Sequence, residues 1–427
     1  MFKLLFRLAL LALLVAPIAF AVASFQPDPV LPPGAALTPR EAAQSRALVK
    51  RTRDVMQKTE GQAQIAATRA ELDGLIATAA RAFPSLRGRT EVTADGLTAA
   101  VAAQVPGVPQ LGWVNLELEL GPSAGEVDLR RLRLGRMEIP PGLAVPAVRT
   151  LLDWATAEDI GTLLLASVER VETAPGRLTV TVDTGGTGDG SLFSRVVAGV
   201  RDATGLSGGE AAAVHYRAMA EAAEAGALPR RGSVAPWLRF AMERAAEAGG
   251  GNPAATRREL QAALLALAAH CGDRKAIETL SGGLDADARS ACAGVTLSGR
   301  DDTRKHFTLS AAIAAAGGAG LSFGFGEVKE LVDAGRQGGS GFSFDDIAAD
   351  RAGIAWAEAL AAAPDRLPEL IARMGAESAV MPSMDGLPSF MSEAEFKARF
   401  EAVDSPPYRA QIAEIDARIA ALPFHAR

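Results

Sequence analysis

The segment Trp113–Leu120, WVNLELEL, constrains the fold of this chain more than any other. Apolar and polar side chains alternate along it without interruption, which is the pattern of a strand with one buried face. Gly121–Gly125 follows as a turn, and Val127–Ile139 continues the alternation as a return strand. Two adjacent arginines, Arg130 and Arg131, shift the alternation by one residue and indicate a β-bulge. The sequence therefore predicts an antiparallel meander here.

Helical patterns flank this meander. Thr38–Glu41 is a capping box with proline at the first helical position, and a second amphipathic stretch runs from Gly61 to Ala82. The remaining elements predicted in this part are strands at Glu91–Thr93 and Leu178–Val182 and helices at Pro146–Leu152 and Ala157–Ala166. Leu97–Val101 fits a short strand and a helix equally well. Together they predict an α+β fold class and place one α+β domain over residues 37–190.

The order of these elements carries a resemblance. Over about residues 60–185, the chain resembles the tubular lipid-binding type of domain. The resemblance is carried by the segment LRLGRMEIP, a helical pair after it, and the segment VERVETAPGRLTVTV. That resemblance implies a curved sheet and a helix enclosing an apolar groove for lipid. The alternative is an ordinary α+β domain without a ligand. Four arginines are candidates for contact with anionic lipid, although a solvated strand face is the interpretation we favour: Arg130, Arg131, Arg133 and Arg136.

The N-terminal residues indicate export. Two positive charges in MFKLLFR precede the uncharged run Leu8–Phe25, and Ala21-Val22-Ala23 offers a cleavage site before Ser24. Residues 1–25 are thus a signal peptide or, alternatively, an uncleaved membrane anchor, since 18 apolar residues are near the lower limit for spanning a bilayer. Residues 26–36 form a proline-rich linker that we expect to be extended and exposed. Both readings predict a protein of the cell envelope, either periplasmic, secreted or anchored.

Residues 191–300 are rich in alanine and predict a helical region. The chain has two cysteines, Cys271 and Cys292, whose spacing does not match a zinc motif. In an exported protein they can form one disulfide; otherwise they are two buried thiols. A net charge of −6 without a basic cluster argues against nucleic acid as a partner and leaves membrane lipid or another envelope protein. No sequence motif calls for a cofactor.

The last region, residues 301–427, contains the candidate functional residues. His306 and Ser310 share a helix face at i and i+4, and Ser343 caps a helix whose one side carries Asp346 and Asp350. Between them lies a charged group whose members recur at three- and four-residue spacings: Glu327, Lys329, Glu330 and Asp333.

The same residues carry a second resemblance. His306-Phe307 with Ser310, then Lys329-Glu330 with Asp333, then Ser343, Asp346, Ala349-Asp350 and Gly353 stand in an order similar to the YfiM-like lipoproteins of bacterial envelopes. The resemblance covers about residues 300–360. It implies an envelope location and a compact helical unit, and that family has no established activity. This chain departs from the family in lacking a lipidation cysteine and in its long preceding region.

Three hypotheses remain for the charged residues. They form an acid–base or metal site, with His306, Glu330 and Asp350 as candidate metal ligands. They form a buried polar lock that holds helices in register. Or they are a helix cap and a surface charge cluster. The leading prediction is a non-enzymatic structural or lipid-contacting envelope protein, and the alternative is a hydrolase of envelope polymer or lipid that uses the histidine and carboxylates.

Overall fold

The structure is a computed structural model that describes residues 23–34, 37–58, 60–83, 85–104, 108–156, 159–186, 190–204, 209–272, 291–318, 322, 324, 326, 329–330, 333 and 341–426. Helices account for 58% and strands for 20%, and the larger sheets are antiparallel, which confirms the predicted α+β class. The chain forms two compact units. One comprises mainly Gln44–Ala80 and Pro84–Gly199, and the other mainly Val200–Arg427. Most of the predicted signal or anchor segment lies outside the described residues.

The first unit contains ten strands and four helices among its described residues. The strands are β1 (Phe25–Gln26), β2 (Gln62–Thr68), β3 (Arg87–Val92), β4 (Leu97–Gln104), β5 (Trp113–Gly121), β6 (Ser123–Ala124), β7 (Asp128–Leu134), β8 (Met137–Ile139), β9 (Val168–Ala174) and β10 (Arg177–Asp183). The helices are α1 (Pro39–Lys58), α2 (Arg69–Ala82), α3 (Pro141–Thr156) and α4 (Ile160–Ser167). A further helix, α5 (Leu192–Thr204), includes the boundary between the units.

The larger sheet is built on β5, as the alternation predicted. Its order is β3-β4-β5-β7-β8, with β1 also paired to β5. The register between β5 and β7 shifts at Glu119/Leu120, which leaves Arg130 as the extra residue of the predicted bulge. The sequence predicted one return strand over Val127–Ile139. The structure has two strands there, β7 and β8, so this part of the prediction is wrong. Gly135 turns the chain between them with a φ of +58°, a conformation that glycine adopts readily.

The proline-rich segment is exposed over most of its described length, as predicted, but it is also bound to the larger sheet, which the sequence prediction did not include. Asn115 on β5 accepts a hydrogen bond from the Val30 N–H at 2.9 Å and donates to the Asp28 carbonyl at 3.0 Å. The Leu31 carbonyl accepts from Arg87 at 2.9 Å, and the Leu31 side chain is buried. Residues 25–31 therefore cover part of the sheet, which a reading of local proline content cannot show.

The smaller sheet corrects a second prediction. Its order is β2-β10-β9-β6, and β2 occupies residues that were expected to begin a helix. β2 pairs with β10 along its whole length, and it buries Ala63 and Ala67. This pairing overrides the helical preference of alanine. The helix α2 starts only after Thr68, whose side chain and backbone exchange hydrogen bonds with Glu71 in a capping box.

The second unit is mainly helical. Its helices are α6 (Gly209–Glu224), α7 (Ala235–Gly249), α8 (Pro253–Cys271), α9 (Asp301–Gly317), α10 (Phe344–Ala362), α11 (Leu367–Arg373), α12 (Glu393–Phe400) and α13 (Pro406–Ala420). Two short strands, β11 (Arg231–Ser233) and β12 (Gly294–Thr296), pair in parallel. The helix α8 is buried along most of its length and packs against α6, α7 and α9. Helices from both of the predicted helical regions thus pack within this unit.

Two features stabilise the second unit. Cys271, at the end of α8, and Cys292 form a disulfide with a Cα–Cα distance of 5.1 Å. Of the two alternatives that the sequence left open, a disulfide and two buried thiols, the structure has the disulfide. An aromatic cluster surrounds the start of α10 and consists of Phe342, Phe344, Phe396, Phe400 and Tyr408. Within the described part of the chain, no helix combines the length and the apolar character that crossing a membrane requires.

Candidate functional site

The candidate site lies where α9 and α10 face each other. His306 and Ser310 are one turn apart on α9, and Asp346 and Asp350 are one turn apart on α10. The Ser343 hydroxyl accepts a hydrogen bond from the Asp346 N–H at 3.3 Å and so caps α10, as predicted. Gly353 allows the close approach, because a Cβ there would lie 2.2 Å from the Phe307 carbonyl oxygen.

The two nitrogens of His306 face different carboxylates. Nδ1 lies 3.0 Å from Asp350 Oδ1, and the Ser310 hydroxyl donates to the same oxygen at 2.7 Å. Nε2 lies 3.5 Å from Asp346 Oδ2 and 4.0 Å from Glu330 Oε1. The exposed fraction of the side chain is 11% for His306 and 0% for Glu330. The structure therefore brings one imidazole and three carboxylates together in a buried cluster.

Lys329 extends this cluster toward the surface. Its ammonium donates to Glu330 Oε1 at 2.7 Å and lies 3.0 Å from Asp333 Oδ2. The other Glu330 oxygen accepts from the Ser343 N–H at 3.1 Å. Asp333 joins the cluster through Lys329 and makes no ion pair with His306 among those found in the described chain. Glu327, the remaining candidate, lies outside the described residues.

Sequence reasoning missed one member, Arg300. Its guanidinium lies 2.7 Å from Asp345 Oδ2 and 3.5 Å from Asp346 Oδ1, and its Nε donates to Asp302 at 3.0 Å. Arg300 stands at the N-cap position of α9, directly before two aspartates. That local charge pattern was visible in the sequence, but its link to α10 depends on how the two helices pack.

The environment changes the pKa values of these groups. Burial lowers the pKa of His306, but the negative charges of Asp350 and Asp346 outweigh that effect and raise it to about 9. Burial raises the pKa of Glu330 to about 7, although the Lys329 charge opposes the change. Burial also raises the pKa of Asp346, against the charges of His306 and Lys329. The cluster therefore favours a protonated imidazole at neutral pH.

The hydrogen bonds exclude one kind of chemistry and permit another. Ser310 and His306 both bind the same Asp350 oxygen, so His306 is not placed to activate Ser310 as a nucleophile. His306, Glu330 and Asp346 each offer an atom that lies within 4.8 Å of the other two, a spacing suited to a metal ion. Asp350 was expected as a ligand in place of Asp346; it lies instead behind the imidazole, on Nδ1.

We compared the chain with known protein families, curated proteins and solved structures, and none of them matched it. The resemblances to the YfiM-like lipoproteins and to the tubular lipid-binding domains therefore stay predictions, and the function rests on the geometry alone.

Proposed function

We propose that this chain is an exported, non-enzymatic protein of the bacterial cell envelope whose first unit contacts membrane lipid through one face of α3. The observation that carries the proposal is the exposure of three large apolar side chains on this helix. Leu143 is 60% exposed, Leu151 58% and Trp154 79%. At 3.6 residues per turn these positions fall within an arc of about 80°. Exposed tryptophan and leucine on one helix face are typical of helices that lie in a membrane interface.

The stripe of α3 that adjoins this arc, and begins about 20° from Leu151, already has a partner. Ala144 is fully buried, and Val148 packs with it against Leu129 and Leu132 of β7. The exposed face is therefore not needed for the core of the unit. Several large exposed apolar side chains on one helix face mark an interaction site more often than isolated ones do.

Lipid is the occupant that the chain order favours. The predicted apolar segment Leu8–Phe25 ends at β1, and the Ala23 carbonyl accepts a hydrogen bond from the Arg136 N–H at 2.9 Å. Arg136 stands five residues before the first residue of α3. A retained anchor would thus enter the described chain beside the start of α3 and hold that helix at the bilayer. The disulfide Cys271–Cys292 supports the export on which this proposal depends, because such bonds persist in oxidising compartments.

The arginine face of the sheet is not part of the proposed lipid contact. Arg130 donates to Asp128 at 2.8 Å, Arg131 lies 3.4 Å from Glu138 and Arg133 lies 3.7 Å from Glu117. These pairs leave the face close to neutral. This supports the solvated strand face that the sequence favoured.

Tryptophan fluorescence tests the proposal directly. Trp237 and Trp356 are fully buried and Trp113 is half-buried beneath Arg87, so Trp154 is the tryptophan whose surroundings a surface contact would change. Adding vesicles of phosphatidylglycerol and phosphatidylethanolamine should shift the emission to shorter wavelength and sediment the protein with the vesicles. Leu143→Ser combined with Leu151→Ser should reduce sedimentation at least tenfold.

A matched control is Val49→Ser, because Val49 is another exposed aliphatic side chain of the first unit, at 52% exposure on α1. It should bind vesicles as the wild type does. Unchanged emission and no sedimentation of the wild-type chain would overturn the proposal, as would equal losses in the control and in the α3 variant.

In this proposal the buried cluster has a structural role. The His306–Asp350 hydrogen bond joins α9 to α10, and the Glu330–Ser343 hydrogen bond joins a third segment to the cap of α10. Such a network fixes helix register when its members are paired. The hydrolase alternative requires that the same cluster also bind a metal ion or a substrate.

A further inference from the structure

We propose that His306, Glu330 and Asp346 bind a divalent transition-metal ion, with zinc the best match to the donor set. Imidazole and carboxylate are both zinc ligands, and imidazole disfavours magnesium and calcium. The inference does not depend on lipid contact by α3.

The distances between the donor atoms fit such an ion. With bonds of about 2.1 Å, two ligand atoms on one zinc ion lie about 3.0–3.4 Å apart. His306 Nε2 lies 3.5 Å from Asp346 Oδ2 and 4.0 Å from Glu330 Oε1. All three donor atoms lie within 4.8 Å of one another, so side-chain shifts of up to about 1 Å would bring them onto one ion.

A second observation independently points to a ligand. The Asp346 side chain is only 5% exposed, and among the described residues its Oδ1 accepts no hydrogen bond and has a long ion pair with Arg300 at 3.5 Å. Its Oδ2 faces His306 Nε2 across a distance longer than a good hydrogen bond. A buried carboxylate normally accepts several hydrogen bonds, because leaving its charge unpaired is costly. A cation between Asp346 and His306 would give Oδ2 a close partner, in addition to the more distant Arg300 charge on Oδ1.

Asp350 acts on the opposite side of the ring. It accepts the hydrogen bond of His306 Nδ1, so the proton that a bound ion would displace is the one on Nε2, and Ser310 holds the same Asp350 oxygen. This carboxylate–histidine arrangement is the usual outer shell of a metal-bound histidine. In this arrangement Asp350 orients the His306 ring and does not itself bind the ion.

Lys329 is the competing cation. Its ammonium lies 2.7 Å from Glu330 Oε1, the oxygen that would bind the metal, and 3.0 Å from Asp333 Oδ2. When the ion binds Glu330, Lys329 can keep its pair with Asp333. Because Lys329 is 36% exposed, this exchange does not require the buried cluster to open. Three protein ligands leave a coordination position for water or a substrate, which would give the hydrolase alternative its chemistry.

The test is a titration of the full, disulfide-bonded chain without an affinity tag, after chelation and dialysis, with Zn²⁺ alone. One equivalent should bind, and Co²⁺ should give the visible absorption of a four- or five-coordinate site. Asp346→Asn and Glu330→Gln should each weaken the affinity at least 100-fold. Asp350→Asn should weaken it by roughly 10–100-fold, as expected for an outer-shell partner.

Two further variants separate this proposal from a purely structural cluster. Lys329→Met removes the competing positive charge, so Zn²⁺ should bind about tenfold more tightly or better. His425→Gln changes a half-buried histidine outside the cluster and should bind Zn²⁺ as the wild type does. Circular dichroism is used to check that each variant is folded. Asp346→Asn is chosen because asparagine keeps the shape of the aspartate side chain. Three results would each overturn the proposal. They are the absence of saturable Zn²⁺ binding by the wild type, undiminished binding by Asp346→Asn, and weaker binding by Lys329→Met.

Discussion

Substituting Gly353 with alanine should destabilise the second unit, although alanine is the better helix former. The added Cβ would lie 2.2 Å from the Phe307 carbonyl oxygen, 3.0 Å from its carbonyl carbon and 3.1 Å from its Cα. All three are backbone atoms, so no side chain can rotate out of the way. To reach an ordinary contact distance of 3.4 Å, α9 and α10 must separate by about 1.2 Å.

Moving α9 and α10 apart would also disrupt the buried cluster of His306 and its carboxylates. The bond from His306 to Asp350 spans the same two helices at 3.0 Å, and it would lengthen beyond hydrogen-bond range. Overpacking costs about 1–3 kcal/mol and the lost charge-assisted bond about 1.5–3 kcal/mol. Alanine recovers about 1 kcal/mol of helix propensity. We therefore expect the free energy of unfolding to fall by about 1.5–5 kcal/mol.

The assay is urea unfolding of the oxidised chain, followed by tryptophan fluorescence. Trp356 reports on this region because its ring packs against Phe307 at 5.6 Å. Gly142→Ala is the matched control, since Gly142 is also helical and a Cβ there would meet nothing within 4 Å. The control should be neutral or stabilise by up to about 1 kcal/mol. If Gly353→Ala behaves like Gly142→Ala, the close approach of α9 and α10 is wrong.

Three other predictions address the pH response, the disulfide and the docked N-terminal segment. Because the pKa of His306 is raised to about 9 from an ordinary 6.5, its stabilising charge is fully present below pH 6.5 and is lost as pH rises through about 9. In chelator, the free energy of unfolding should therefore fall by up to about 3 kcal/mol over that window in the wild type but not in His306→Gln. Reduction of Cys271–Cys292, which lie 21 residues apart, should cost about 3 kcal/mol, and Cys292→Ser should unfold at the same urea concentration with or without reductant. Asn115→Ala should cost about 1–3 kcal/mol and should speed hydrogen exchange at the Val30 amide, whereas unchanged exchange there would contradict the docking of this segment.

Local chemistry predicted the elements that depend on neighbouring residues. The alternation of Trp113–Leu120 identified β5, and the Ser392–Glu395 capping box marks the start of α12. Helical spacing placed His306 with Ser310 and Asp346 with Asp350 on common faces. Two of the three hypotheses for the charged residues required these faces to meet, and Gly353 is the residue that permits it.

The features that the sequence did not predict depend on contacts between residues far apart in the chain. Gln62–Thr68 looks helical because it is rich in alanine, and only its partner β10, more than 100 residues later, makes it a strand. Asp346 and Asp350 are equivalent in sequence, so their division into a residue facing Nε2 and one facing Nδ1 of His306 depends on the rotation of α10. The role of Arg300 depends on the same packing.

The pairing of β1 has a consequence for the order of events during biogenesis. Phe25 and Gln26 dock opposite Val114 and Trp113, and Asn115 then holds Asp28 from 87 positions away. Contacts between residues so far apart form late, because a long loop must close first. If the chain is exported as proposed, the residues that follow the predicted cleavage site leave the translocation channel first and yet are among the last to become fixed in the fold. A processing peptidase would have that interval to act, and a chain that folded before processing would keep its Ala23–Ser24 bond shielded, since Ser24 is buried in the finished unit.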